Sequence, residues 1–238
     1  MAQRMRLGFW KRLVVAILYP SIGSAFRLRW QGQEHVPPTG GVILVTNHIS
    51  YADPFGFARF VYDSGRFPSF LAKVGLFRIP VIGWVLRRVG QIPVHRGTAD
   101  ARVSLRDAVE AVRAGACVCI YPEGTVTRDP DWWPMVGKTG VARLALATDA
   151  PVIPVAQWGA QVVYDHYRHK LDLFPRKTIQ ALAGPPLDLS CYRDRPITAE
   201  LLREVTDLTM GAVRDLLGEL RGETPPEKFA PRPQRMPR

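Results

Sequence analysis

The chain has 238 residues, 47% of them hydrophobic, which is enough for one sizeable domain with an appended segment. Lysine and arginine number 32 against 21 aspartates and glutamates, a formal net charge of +11 that favours a polyanionic partner. The cations are spread along the chain, and no aromatic-studded RNA-binding signature occurs, so nucleic acid is set aside in favour of an anionic membrane surface or phosphorylated substrates.

Three cysteines (Cys117, Cys119 and Cys191) make no disulfide framework, and reduced thiols in a cytosolic setting are expected. No familiar metal-ligand spacing occurs, so no metal is expected.

Near the N-terminus, the charge-free run Leu13 to Phe26 lies between Lys11-Arg12 and Arg27-Leu28-Arg29 and is interrupted by Pro20. At about 14 residues it is shorter than the roughly 17–25 that span a bilayer, and no small-residue cleavage site follows it. The expectation is a kinked pair of short helices in the membrane interface, with Trp10, Tyr19 and Trp30 at headgroup depth. Residues 1–30 are therefore assigned to an interfacial segment.

Val42-Ile43-Leu44-Val45 then reads as a short buried strand, followed by Asn47-His48-Ile49-Ser50-Tyr51-Ala52-Asp53-Pro54. Asp53-Pro54 looks like a helix start, with Asp53 as the cap and the helix continuing from Phe55 to Tyr62. His48 would stand at the C-terminal end of a strand, the edge where open α/β sheets bind ligands. A carboxylate five positions on can fold back onto one imidazole nitrogen and leave the other free to take a proton. Asp53 before proline is also explained by capping alone.

Ser69 to Ala72 reads as a strand delivering Lys73, and Ile92 to Val94 as another ending on Arg96; Pro80, Gly83 and Gly90 break the stretch between. Arg96 can hold a phosphate bidentately and Lys73 can add a point charge. A helix is expected over Thr98–Ala114, capped by Gly115, and a buried strand over Ala116–Tyr121. That strand delivers Pro122-Glu123-Gly124-Thr125-Val126-Thr127-Arg128, where backbone N–H groups around a glycine beside Arg128 would suit an oxyanion or phosphate.

Lys138-Thr139-Gly140 opens a helix with Val141, Leu144 and Ala145 inward; Pro151 to Ala156 and Ile179 to Ala183 read as strands. Val162 to Pro175 has no assigned structure, and its His166 and His169 are read as surface residues. Thr198 to Arg221 is a long helix with a stripe of Leu201, Val205, Leu208, Ala212, Leu216 and Leu220. From Gly222 to Arg238 a disordered basic, proline-rich tail is expected. Residues 31–221 form the main domain, an α/β fold with a mostly parallel sheet flanked by helices.

Asn47-His48-x-Ser50-x-x-Asp53 resembles the HX4D signature of the glycerolipid acyltransferases. The stretch from Lys73 through Leu76, Pro80, Gly83 and Gly90 to Arg96 is similar to that family's second block, Tyr121 to Thr125 to its third, and Val152 to Val155 to its fourth. The resemblance runs from about Trp30 to Ala156 and implies the glycerol-3-phosphate acyltransferase-like fold. It also implies acyl transfer from acyl-CoA or acyl-carrier protein, as co-substrate rather than cofactor, to a lysophospholipid acceptor on the cytoplasmic face of the cell membrane.

His48 and Asp53 would then be catalytic, and Asn47, Ser50, Lys73, Arg96, Glu123, Gly124, Thr125, Arg128 and Lys138 would serve substrate binding. The oxyanion would be held by loop N–H groups near His48 or Gly124. The family commonly carries arginine directly after Glu-Gly-Thr, where this chain has Val126. Either Arg128 does the same work, or the phosphate is held chiefly by Lys73 and Arg96.

Overall fold

In the computed structural model, which describes residues 7–94 and 100–231, the chain begins with helix α1 (Phe9–Ala25) and strand β1 (Arg27–Gln31). Strands and helices then alternate: β2 (Val42–Thr46), α2 (Asp53–Asp63), β3 (Pro68–Lys73), the short α3 (Val74–Phe77), α4 (Pro80–Arg88), β4 (Ile92–Val94), α5 (Asp100–Arg113), β5 (Cys117–Ile120), α6 (Gly140–Leu146) and β6 (Val152–Trp158). A hairpin of β7 (Tyr164–Asp165) and β8 (Lys170–Leu171) precedes β9 (Thr178–Ala183), α7 (Ser190–Arg193) and α8 (Ala199–Arg221). The main sheet runs β1-β9-β6-β2-β5-β3-β4, and every pair in it is parallel except β6 with β9.

β2 lies centrally and is buried along its whole length, because helices cover both of its faces. Val42 and Leu44 pack with Phe57, Phe60 and Val61 of α2 on one side. Ile43 and Val45 pack with Ala108 and Val112 of α5, Val141 and Leu144 of α6, and Leu201 and Val205 of α8 on the other. A parallel strand covered on both faces needs an unbroken apolar run, which Val42-Ile43-Leu44-Val45 supplies. All the parallel strands from β2 to β6 end at the same edge, and that edge presents the His48 and Glu123 loops together.

Several expectations need correction. The N-terminal apolar run is one helix, α1, with Pro20 inside it, rather than a kinked pair. Its packing holds the helix together past the proline: Tyr19 and Ile22 are buried, the Tyr19 ring lies 4.5 Å from that of Tyr62, and Tyr19 Oη donates to Ala58 O. Trp30 likewise turns inward, donating from Nε1 to Asp63 Oδ2 at 2.9 Å. Tyr19 and Trp30 therefore serve the core. The boundary at residue 30 falls inside β1, whose pairing with β9 makes it part of the sheet.

Asp53 is the first residue of α2 rather than its cap, with Ala52 in the capping position. In α8, Leu208 is exposed, and the buried stripe includes Leu202, Thr206, Thr209, Met210, Val213 and Leu217. The two threonines tolerate burial because each hydroxyl donates to a carbonyl four residues back, Leu202 O at 2.6 Å and Val205 O at 2.7 Å. Residues 222–231 are not a disordered tail but fold back, with Ala230 bridging to Met135 and Arg214 Nη1 donating to Glu227 O. Residues 232–238 lie outside the described residues, as do Arg96 and the expected start of α5.

At the opposite edge of the sheet, buried Arg66 donates to Pro37 O, Gly40 O and Gly115 O at 2.6–2.9 Å, tying the entries of β2 and β5 together. Arg66→Ala leaves these carbonyls without their donor and should cost about 2–4 kcal/mol in denaturant unfolding. Substrate turnover at the far edge should be unaffected; an equally large loss of activity in the folded variant would show that the two edges are coupled.

Candidate active site

His48 leaves the end of β2 in a loop organised by one oxygen of Asp53. Asp53 Oδ2 accepts from His48 Nδ1 at 2.8 Å, from Ile49 N at 2.6 Å and from Ser50 N at 2.9 Å. An oxygen already taking two backbone N–H groups is an acceptor, so His48 Nδ1 carries the hydrogen and Nε2 keeps its lone pair. Asp53 has no solvent exposure, whereas the His48 side chain is 14% exposed. The imidazole can therefore reach a substrate while its orienting carboxylate cannot. The Tyr121 ring lies against it, with centroids 4.4 Å apart.

The neighbouring strands hold the His48 backbone from both sides. From the β5 loop, Glu123 Oε1 accepts from His48 N at 2.8 Å, Glu123 Oε2 accepts from Met135 N at 2.9 Å, and Thr127 N donates to His48 O at 2.7 Å. From β6, Gln157 N donates to Asn47 Oδ1 at 2.8 Å, and Asn47 Nδ2 donates to Gln157 O at 3.0 Å. Ser50 Oγ donates to Tyr164 O of the hairpin at 2.7 Å and accepts from Ala52 N.

These bonds bear on three of the residues expected at the substrate. Asn47, Ser50 and Glu123 are buried and spend their polar atoms on neighbouring backbone, which holds the loop in place. Of the loop N–H groups near His48 and Gly124, those of the two residues themselves are occupied: His48 N by Glu123, and Gly124 N by Tyr121 O at 3.0 Å.

Gly124 has φ +71, a left-handed conformation that favours glycine, and a Cβ there would lie 2.5 Å from Lys138 Nζ. Lys138 is thus brought onto the Gly124-Thr125 loop. Lys73 is exposed at the end of β3, on the same sheet edge but two strands from β2. Val126 is buried, while Arg128 emerges two residues later beside Tyr167, whose hydroxyl approaches Thr127 O and Asp129 O at 3.4 Å.

The unassigned stretch after β6 contributes more than the sequence suggested. His166 is not a simple surface residue: both its ring nitrogens are buried, and burial lowers its pKa below the ordinary imidazole value. Its ring lies 4.1 Å from Tyr167, 5.3 Å from Trp132 and 6.3 Å from Tyr51, so the hairpin brings an aromatic cluster beside the His48 loop. No local spacing signals this, because the tie to Ser50 crosses 114 residues of sequence.

Burial pushes the Glu123 carboxyl up to about 8, against the pull of its two N–H donors. Raised above its ordinary value of 4.5, this group favours folding most at acid pH, and its contribution is lost as pH rises through about 8. Glutamine in its place does not titrate. In urea unfolding at about pH 5 and about pH 8, wild type should lose stability relative to Glu123→Gln as pH rises; parallel pH dependences would rule out a neutral buried carboxyl.

Comparison with known proteins places this geometry. A model of the family described as Acyltransferase matches residues 27–158. A chloroplastic 1-acyl-sn-glycerol-3-phosphate acyltransferase of Brassica napus is 33% identical over 141 residues, covering 58% of this chain and 39% of the relative. The enzyme of that name from Borreliella burgdorferi is 34% identical over 125 residues, covering 52% of this chain and 48% of the relative. The matched stretch is thus less than half the length of either relative.

Among solved structures, the 1-acyl-sn-glycerophosphate (LPA) acyltransferase PlsC from Thermotoga maritima superposes with a TM-score of 0.69 at 23% identity. That match covers 91% of this chain and 81% of the other, and it shows the shared fold. The family match takes in β1 through β6, more than half of the chain, with the His48 and Glu123 loops both inside it, and on that match this chain belongs to the acyltransferase family.

Proposed function

We propose that the protein transfers an acyl group from a thioester, acyl-CoA or acyl-carrier protein, to the free hydroxyl of 1-acyl-glycerol-3-phosphate, forming phosphatidic acid for phospholipid synthesis. The observation that carries this reading is the 2.8 Å contact between His48 Nδ1 and buried Asp53, which leaves Nε2 as a base at the sheet edge. The names of the relatives from Brassica napus and Borreliella burgdorferi supply the acceptor.

In this reading His48 Nε2 takes the proton of the acceptor hydroxyl as its oxygen attacks the thioester carbonyl carbon. The tetrahedral intermediate then collapses, the C–S bond breaks, and the proton passes from His48 to the departing sulfur. Ester and free thiol are the products, and no protein nucleophile is acylated. The oxyanion falls to N–H groups of the loop just after Gly124, those of Thr125 and Val126. Lys73, Arg128 and Lys138, with Arg96 outside the described residues, gather the acceptor phosphate.

The work takes place at the cytoplasmic face of a membrane, with the protein peripheral or monotopic. No described helix is long and apolar enough to cross a bilayer. Support for interfacial binding comes from α1 and α4, which touch through Trp10 and Trp84 and expose Phe9, Leu13, Ile17, Leu18, Val81 and Ile82. A second reading, the same chemistry on a lysolipid with another headgroup, is favoured by the buried Val126 in place of the family's arginine.

Thiol release from palmitoyl-CoA tests both. It should require lysophosphatidic acid, yield phosphatidic acid, and fall about 10²–10⁴-fold in His48→Ala, with a severe but incomplete loss in Asp53→Asn. Retained transfer in folded His48→Ala would sink the mechanism. Release with a different lysolipid, but not with lysophosphatidic acid, would replace the acceptor and keep the base.

A further inference from the structure

The hairpin that closes over the His48 loop has an outward side that the acyl-transfer chemistry does not use. Its inward side is fixed: Tyr164 O takes the Ser50 hydroxyl, and His166 and Tyr167 pack on Trp132. Just beyond, Leu171 is 60% exposed, Leu173 is exposed, and Phe174 is 83% exposed. Single exposed apolar residues are ordinary on a soluble protein, but here three large ones fall within four positions.

Charge surrounds them with one sign in excess. Asp165 pairs with Arg168 and Asp172 with Lys177, so Lys170 and Arg176 leave the segment net positive. Arg176 Nη2 also donates to Gly23 O and Phe26 O, both at 2.7 Å, which sets this segment against the C-terminal end of α1. Residues 171–174 therefore lie on a segment anchored at the C-terminal end of α1, with the His48 loop tied to the same hairpin.

We propose that the 171–174 segment is a second contact with an anionic lipid bilayer, placed at the mouth of the acyl-transfer site. It rests on the membrane reading above and extends it from α1 to the site itself. An acceptor lipid keeps its acyl chain in the bilayer while its hydroxyl must reach His48. A site held to the membrane only through the far end of α1 would have to lift the lipid out of the bilayer. Apolar side chains flanked by cations combine the two forces that hold interfacial segments, and neither is strong alone. The tie from Ser50 to Tyr164 then fixes the height of His48 relative to the interface.

The test compares wild type, the triple variant Leu171→Ser/Leu173→Ser/Phe174→Ser, and an α1 variant, Leu13→Ser/Ile17→Ser. Vesicles are mixed phosphatidylglycerol and phosphatidylcholine, with lysophosphatidic acid as acceptor. Wild-type cosedimentation reports on the membrane reading itself; if wild type binds no vesicles, that reading fails and the proposal falls with it.

If wild type binds, the triple variant should partition at least about tenfold less well and lose vesicle activity in step. Its turnover of a short-chain, monomeric acceptor should match wild type. Wild-type partition and vesicle activity in the triple variant would overturn the proposal, as would loss of turnover on the monomeric acceptor. Loss confined to an acyl-carrier protein donor, with vesicle binding intact, would make this a protein-docking surface and overturn it too. An independent readout uses Phe174→Cys in a Cys191→Ser background, labelled with an environment-sensitive dye, because the other two cysteines are buried. Its emission should shift blue when vesicles are added; an unchanged spectrum beside bound vesicles counts against the contact.

Discussion

Oδ2 of Asp53 accepts hydrogen bonds from His48 Nδ1, Ile49 N and Ser50 N, all within 2.9 Å, from a position with no solvent contact. A buried carboxylate is costly unless donors surround it, and here the donors come from the loop that it organises. The first turn of α2 adds the positive end of a helix dipole to the same place. Four intervening residues are what the chain needs to leave β2, turn, and return a carboxylate to the imidazole. One side chain thereby closes the loop, begins a helix and fixes the tautomer of the base. Asparagine could turn its amide oxygen to the same three donors, but it brings no negative charge to support an imidazolium.

The sheet extends this constraint outward. β2 lies between β5 and β6, and each neighbour sends a side chain or amide to the residues just past the strand end. The two bonds between Asn47 and Gln157 prolong the β2–β6 pairing beyond Thr46, and Glu123 does the corresponding work from β5. His48 is thus held as the end of a strand rather than as part of a free loop. Substitutions at Asn47 or Glu123 would act on catalysis through the position of the imidazole. Pre-positioning of this kind matters because a base displaced by about 1 Å loses much of its rate advantage.

The central strands and the His48–Asp53 pair were legible because each is written locally. Val42 to Val45 is an unbroken apolar run, and the carboxylate stands five residues from the imidazole. β1 was not legible, since Arg27-Leu28-Arg29-Trp30-Gln31 follows an apolar run and pairs with a strand some 150 residues away. The same distance problem hid the inward roles of Tyr19, Trp30 and His166. Their partners lie on α2 or on loops that sequence spacing does not connect. The motif residues Asn47, Ser50 and Glu123 were singled out for substrate, while the structure shows them buried and bonded to neighbouring backbone. Residue type shows that a polar group is needed, while burial shows whether its partner is substrate or backbone. In α8 the helix itself was plain, yet Leu208 and Thr206 exchanged environments because a threonine can satisfy its hydroxyl within the helix.

Charge balance completes the account of the site. Asp53 and Glu123 are buried close enough that the first raises the proton affinity of the second, after burial itself. Two ionised carboxylates beside a neutral imidazole would present a doubly negative cluster to a phosphorylated acceptor and an anionic donor. Burial, with Asp53 beside it, pushes the Glu123 carboxyl up to about 8, which works against two full negative charges in the site. When His48 takes a proton, the Asp53 charge is matched by the imidazolium it supports. The cations Lys73, Arg128 and Lys138 stay on the exposed rim, where they can meet phosphate without neutralising Asp53. In the proposed reaction the Asp53 charge would act on the base and the rim charges on the substrate, because burial separates the two sets.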